Sequence, residues 1–275
     1  MLTDAALKSI LAPEMCGYLD LLRASNRSTA EYLYTFHSLD TYLVRNKITS
    51  KTLSEVLLTD WLSSRNIVGS SKNGEIARMR TFARYLTALE IFAFELDCCQ
   101  VEQTYKAYTF DNDEISKIFE IADNGSVSYR NTESGMVFPV VLRILYGTGM
   151  RISEVLDLKW EDVDLVNGIL TITQAKNNTQ RRVPIHSSLR DVLWLYNRRR
   201  MLGFPDDEYL FTNRDNSTGI PYKYETFGYW FKKVLCAAGV DNPHGKPFAR
   251  GISTHVLRHN FTFRSFQQAA SEGRA

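Results

Sequence analysis

Apolar positions recur through the first 95 residues with helical rather than alternating spacing. Leu33, Phe36, Leu39 and Leu43 lie three or four apart behind Ser28 and Thr29, either of which can cap a helix. Ser50 to Leu62 and Glu75 to Phe94 predict two more amphipathic helices. From Cys98 to Thr109 the period fails, and Gln100, Glu102, Gln103, Tyr105, Lys106 and Tyr108 make a polar, aromatic stretch that reads as a linker. Helical spacing resumes at Ile115, Ile118, Phe119 and Ala122, behind the capping pair Asp111 and Glu114. The pattern divides the chain into a helical domain over residues 1–98, a linker over 99–110 and a second domain over 111–275.

In the second half, an apolar run through Val140, Val141, Leu142, Ile144 and Leu145 meets Gly147 and Gly149, where the backbone is expected to turn sharply. A helix then starts near Arg151, with Ile152, Val155, Leu156 and Leu158 on one face. That leaves Arg151 at the amino end, beside amides that favour anions. Asn167-Gly168 predicts a turn, and Ile169 to Thr173 predicts a strand of β-branched residues. After the polar loop Gln174 to Gln180, Arg181 to Ile185 reads as its partner, with Pro184 arguing for an edge position; Lys176 sits near the hairpin tip. Ser187 and Ser188 open a helix through Leu189, Val192, Leu193 and Tyr196 that ends in Arg198, Arg199 and Arg200. Tyr224 to Ala238 predicts another, with Phe227, Trp230, Phe231, Val234 and Leu235 at core spacing. Beyond Gly239 and a loop holding Pro243, Gly245 and Pro247, Ser253 or Thr254 can cap a helix on which His255 and Arg258 share a face. The predicted fold class is mainly α with a small β-sheet, in two domains.

Composition adds constraints. In 275 residues, 44% hydrophobic and 12% aromatic content suffices for real cores and excludes a disordered chain. With 33 basic against 31 acidic residues the net charge is only +2, so bulk charge gives little support to a nucleic-acid partner and any basic surface is local. Residues up to Phe110 carry 12 basic and 12 acidic side chains, with Arg78, Arg80 and Arg84 on the last helix of the first domain; solvated arginines are the plain reading there. From Lys176 to Arg200 there are seven basic residues and one acidic, Asp191. The triple arginine also suits a helix carboxyl end, which favours cations. Cys16, Cys98, Cys99 and Cys236 lack metal-ligand spacing and fit reduced thiols. No signal peptide, internal repeat or bilayer-spanning apolar run is visible, so a cytoplasmic protein without a membrane partner is expected.

The chemistry-bearing stretches come in a fixed order. Gly147-Thr-Gly-Met-Arg-Ile-Ser-Glu-Val-Leu-Asp-Leu-Lys-Trp160, followed by Asp162 and Asp164, closely resembles the first-arginine box of the tyrosine recombinases, or phage integrase family. The hairpin lysine follows, and His255-Val-Leu-Arg-His259 resembles the second box of the same family. The resemblance implies that residues 1–98 form a helical, SAM-like core-binding domain and residues 111–275 an α+β catalytic domain. Its partner would be double-stranded DNA, with Arg78, Arg80, Arg84, Arg181 and Arg182 as DNA-binding candidates and a homo-oligomer, a tetramer on paired sites, as the working assembly.

Residue by residue, the resemblance implies that Arg151 and Arg258 clamp the scissile phosphodiester, whose non-bridging oxygens gather charge in the transition state. Lys176 would lie in the minor groove and protonate the leaving 5′-oxygen, a role for which Arg181 and Arg182 compete in part; His255 would assist at the attacking hydroxyl. Glu154 and Asp157 take supporting or structural roles. No cofactor or metal is implied, because bond energy is held in a 3′-phosphotyrosine link. Each residue also has a plain structural alternative: an ion-paired arginine, an ordinary loop lysine, a helix-cap histidine.

The family pattern continues past the second box with a Leu-Gly-His box and the nucleophilic tyrosine. Here Tyr229 is the last of 14 tyrosines and precedes that box, and 17 residues follow Arg258. The stretch Gln267 to Ala275 lacks the apolar period expected there, and the reading is an end that is truncated or frameshifted. Three functions are therefore open: a site-specific recombinase or integrase whose nucleophile is missing from this chain, a catalytically silent DNA-binding remnant, or a helical interaction protein with chance motifs.

Overall fold

The computed structural model describes residues 3–67, 69–100, 108–125, 127, 132–173, 180–201, 208–213, 219–240 and 252–274. The chain forms two compact units that divide between residues 104 and 105.

The first unit is built from α1 (Ala12–Ala24), α2 (Ala30–Arg45), α3 (Glu55–Ser63) and α4 (Gly69–Ala88). Pro13 sits in the first turn of α1, where a missing N–H costs no helical bond. The period read in α2 is its buried face: Phe36, Leu39 and Leu43 are wholly enclosed and pack with Trp61 of α3 and Phe82 of α4. Asp40, on the same helix and buried, accepts bonds from the backbone amides of Lys8 (2.9 Å) and Ser9 (2.7 Å), which fastens the chain start to α2. The helix expected from Glu75 to Phe94 differs at both ends. It begins at Gly69 and stops at Ala88, after which Glu90 adopts φ of 62° and Ile91 donates back to the Leu86 carbonyl. Phe92 and Phe94 lie instead in extended backbone that brackets Leu53, with Leu53 N to Phe92 O at 3.0 Å and Phe94 N to Leu53 O at 2.8 Å. Periodicity alone does not separate a helix end from an apolar extended strap.

The second unit opens with α5 (Asn112–Asp123), entered through the expected capping box: Glu114 N to Asp111 Oδ1 at 2.8 Å and Asp111 N to Glu114 Oε2 at 3.0 Å. Next come α6 (Thr132–Thr148), the short α7 (Ile152–Leu156), and a three-stranded antiparallel sheet of β1 (Val163–Asp164), β2 (Ile169–Ile172) and β3 (Arg181–Pro184) in that order. Pairing of Ile169 with Pro184 and of Ile172 with Arg181 makes the predicted hairpin, with Pro184 on an edge strand. β1, too short to be seen as a pattern, pairs with β2 across the Gly168 turn, where φ is 68°. The remaining elements are α8 (Ser187–Met201), the β4 (Thr212–Asn213) and β5 (Ile220–Pro221) pair, α9 (Tyr224–Ala237) and α10 (His255–Ser271). Phe138 of α6 stacks on Phe227 of α9 at the core, and α10 lies chiefly against α6. The stretch from Gln267, which lacks an apolar period, continues α10 through Ser271, with Phe263 and Phe266 exposed earlier on the helix. Among the described residues, no helix is long and apolar enough to cross a membrane.

Candidate active site

The turn between α6 and α7 carries the site. Gly147 is part of α6, so the sharp turn expected at two glycines is made by Gly149 alone. Its φ of 63° belongs to the left-handed region, and a Cβ there would stand 2.5 Å from Cδ1 of Phe261 on α10. This close approach seats α10 on the turn. Arg258, one helical turn before Thr262, then donates from Nη1 to the Gly149 carbonyl at 2.6 Å.

Two residues past Gly149, Arg151 occupies the N-cap position of α7 with extended backbone (φ −74°, ψ 147°). Leu156 and Val155 are buried behind it, as the apolar spacing predicts, so the arginine is left at the helix mouth with 44% of its side chain exposed. Glu154 lies one turn on and is buried, its side chain only 4% exposed. Its Oε2 accepts from Arg151 N at 2.8 Å and Arg181 Nη2 at 2.6 Å; its Oε1 accepts from Arg151 Nη1 at 2.8 Å and Arg181 Nη1 at 3.1 Å. Burial, the largest single influence, pushes this carboxyl up, but the bonds from the Arg151 amide, Arg181 and the Arg151 guanidinium together hold it below the ordinary carboxylate value. Arg258 is lowered as well: burial first, then the neighbouring Arg151 and Arg181, reduce its proton affinity, with Glu154 opposing.

Two guanidiniums thus bond one carboxylate while a third, Arg258, stands near it on the Gly149 carbonyl, leaving positive charge in excess. Arg151, Arg258 and Arg181 come from α7, α10 and β3, and the fold brings them together. Arg182 is separated from them: strand alternation puts it on the other face, exposed, where its charge is felt by Asp164. His255 lies three residues before Arg258 on α10, its ring edge-to-face with His259 at 4.7 Å. Lys176 lies outside the described residues. Glu154 is the residue that sequence reasoning undervalued; its spacing of three from an arginine at a helix start was the available signal. Asp157, at the end of α7, is raised by burial alone. Among the described residues, no group of three or more His, Cys, Asp or Glu is placed to hold a metal ion.

In the first unit the three candidate arginines do not form one row. Arg78 turns toward α2, donating to Thr35 Oγ1 and Glu31 Oε2, each at 2.8 Å. Arg80 and Arg84 face the chain beyond α4: Arg80 Nη2 meets Asp97 at 3.0 Å, and Arg84 forks onto Glu95, with Nη2 to Oε2 at 2.9 Å. Helix geometry explains the split, since positions two and six residues on from Arg78 lie on the opposite side of α4. Arg84 is the most accessible of the three, with 68% of its side chain exposed.

A sequence profile of the phage integrase family matches residues 109–271, more than half of the chain. The chain belongs to the phage integrase family. Tyrosine recombinase XerD of Listeria innocua is 26% identical over 252 residues, covering 83% of this integrase chain and 76% of the relative. Tyrosine recombinase XerC of Lacticaseibacillus casei is 27% identical over 227 residues, covering 78% and 71%. Among solved structures, XerH site-specific recombinase bound to palindromic difH substrate superposes with a TM-score of 0.68 at 19% identity, over 87% of this chain and 68% of that one. The fold of this integrase is therefore the tyrosine-recombinase fold, as its boxes implied. Arg151, Arg181, His255 and Arg258 all fall within the matched stretch; Arg78, Arg80 and Arg84 precede it.

Proposed function

We propose that this chain is a site-specific recombinase or integrase that grips duplex DNA and promotes strand cleavage and rejoining through a 3′-phosphotyrosine link. The observation that carries this is the bond from Arg258 to the carbonyl of Gly149, which puts the guanidinium of one helix at the turn presenting the guanidinium of another. Arg258 meets a carbonyl rather than a carboxylate there, and Arg151 keeps Nε and Nη2 unspent on the protein among the described residues. Two planar forks with donors to spare match the two non-bridging oxygens of a phosphodiester. As charge builds on those oxygens during attack, the clamp stabilises the transition state more than the ground state.

In this reading His255 exchanges a proton at the attacking hydroxyl and Lys176 protonates the leaving 5′-oxygen. The attacking tyrosine comes from outside these 275 residues, since none of their tyrosines follows Arg258. The first unit serves as a core-binding domain, with Arg80 and Arg84 exchanging their exposed carboxylates for phosphates, while Arg78 spends its donors on tying α4 to α2. Arg182 adds a phosphate contact from the exposed face of β3. Assembly as a homo-oligomer on paired sites, within the cytoplasm, completes the proposal.

The test has two parts. Duplex DNA binding should weaken steeply with salt, as neutralisation of several phosphates requires, and salt-independent or absent binding would sink the reading. On a nicked suicide duplex the 275-residue chain should form no covalent adduct by itself; an adduct would place the nucleophile within these residues.

A further inference from the structure

We propose that Arg181 is a positioning residue: it serves as the counterion of Glu154 so that Arg151 stays turned toward the phosphate, and it does not itself grip DNA. This rests on the phosphate-clamp reading, and it departs from assigning Arg181 and Arg182 a common role. The geometry is asymmetric. Arg181 spends both terminal nitrogens on Glu154, one per oxygen, at 3.1 and 2.6 Å, whereas Arg151 commits only Nη1 and its backbone amide. The carboxylate is buried, so its full charge must be met by these neighbours. With Arg181 present, a fork already covers both oxygens, and Arg151 has no room to lie bidentate across them. Without Arg181, the same carboxylate would draw Arg151 into that fork and away from the DNA.

The placement of Arg181 gives it a second consequence. It begins β3 immediately after the polar loop that holds Lys176, five residues upstream. Its bond to Glu154 therefore fastens the base of that hairpin to the helix carrying Arg151.

The groups facing Glu154 are Arg151 at the start of α7, Arg181 from β3, Arg258 from α10, and Asp157 and Asp162, which line the same small polar hollow with Thr171 and Thr173. None of the last four can replace a fork across both oxygens.

The experiment uses the full chain, a 30-base-pair duplex (about three turns) followed by fluorescence anisotropy, and the variants Arg181→Gln, Glu154→Gln and their combination. Arg181→Gln should weaken binding about tenfold near pH 7.5, the scale of one charge-assisted bond. The loss should shrink as acid neutralises Glu154, and the double variant should bind close to the unaltered chain. A direct phosphate contact predicts otherwise: a loss that ignores pH, persists in the double variant and lowers the salt slope by about 0.9. That result would overturn the proposal. Arg181→Lys, which keeps charge but not the fork, should fall between, and it stands in should the glutamine variant not fold.

A second readout does not involve DNA. In the unaltered chain Glu154 has a depressed value, so its contribution to folding is present above the unfolded carboxylate pKa and lost as pH falls through the folded one. In Arg181→Gln, Arg151 is left as the bonding cation of Glu154, so the depression, and with it the stability lost as pH falls, should shrink. An unchanged acid profile would remove Arg181 from its role as counterion. If the unaltered chain bound no duplex while this smaller acid loss appeared, the DNA reading would fall and the Arg181–Glu154 coupling would stand.

Discussion

Replacing Gly149 by alanine tests the turn on which the clamp depends. Two costs add. A left-handed φ of 63° costs a residue with a Cβ about 1–2 kcal/mol. The new methyl also meets the Phe261 ring at 2.5, 3.0 and 3.2 Å from Cδ1, Cγ and Cε1, all inside normal contact. The near atoms belong to the root and side of a rigid ring, not to a flexible tip, so either α10 or the turn must move, at about 1–3 kcal/mol for overpacking of this kind. The expected destabilisation of the second unit is about 2–5 kcal/mol. Three of the four tryptophans, Trp160, Trp194 and Trp230, lie in that unit, so urea unfolding followed by tryptophan fluorescence reports chiefly on it. Repeating the substitution in a Phe261→Ala background separates the costs: the ring term vanishes and about 1–2 kcal/mol of backbone strain remains. An equal penalty in both backgrounds would show that the ring does not press on the turn. A penalty below about 0.5 kcal/mol would show that the left-handed turn is not needed.

Further outcomes follow from the same geometry. When the chain is supplied with the family's nucleophilic tyrosine segment, Arg151→Ala or Arg258→Ala should each slow strand cleavage by at least about a hundredfold while changing duplex affinity far less; equal losses of both would move these arginines from chemistry to positioning. Tyr108 donates to Glu114, and burial, that hydrogen bond and the nearby acids push its hydroxyl up to about 12. Ultraviolet titration should therefore find Tyr108 among the phenols that ionise late, and Glu114→Gln should bring it down; its contribution to folding is intact below the unfolded value and lost as pH rises through about 12. Asp111→Ala opens the α5 capping box and should cost about 1 kcal/mol in urea unfolding, with Asp111→Asn recovering most of it.

Local rules were enough to read much of this protein from its residues. The stripes through Phe36, Leu39 and Leu43 or Phe227, Trp230 and Phe231 became buried helix faces because a helix must cover its apolar side whatever it packs against. The Asp111 cap, the Gly168 turn and the edge strand at Pro184 were equally visible, each set by the chain's own hydrogen-bonding needs. Short-range patterns failed where a distant partner chose the outcome. Phe92 and Phe94 continue a helical spacing, yet Leu53, some forty residues earlier, claims their backbone. Gly147 and Gly149 are alike on paper, but only the second meets the Phe261 ring, 112 residues on, as left-handed backbone. The charges divide in the same way. That Arg151 and Arg258 would lie close together could be suspected from the order of the boxes; that Arg181 joins them and Arg182 does not depends on which strand face meets a buried carboxylate. A sequence states how many charges a chain has. Which of them share one counterion, and so which remain for a phosphate, is decided by burial, because only in a desolvated site must each charge find its partner at bonding distance.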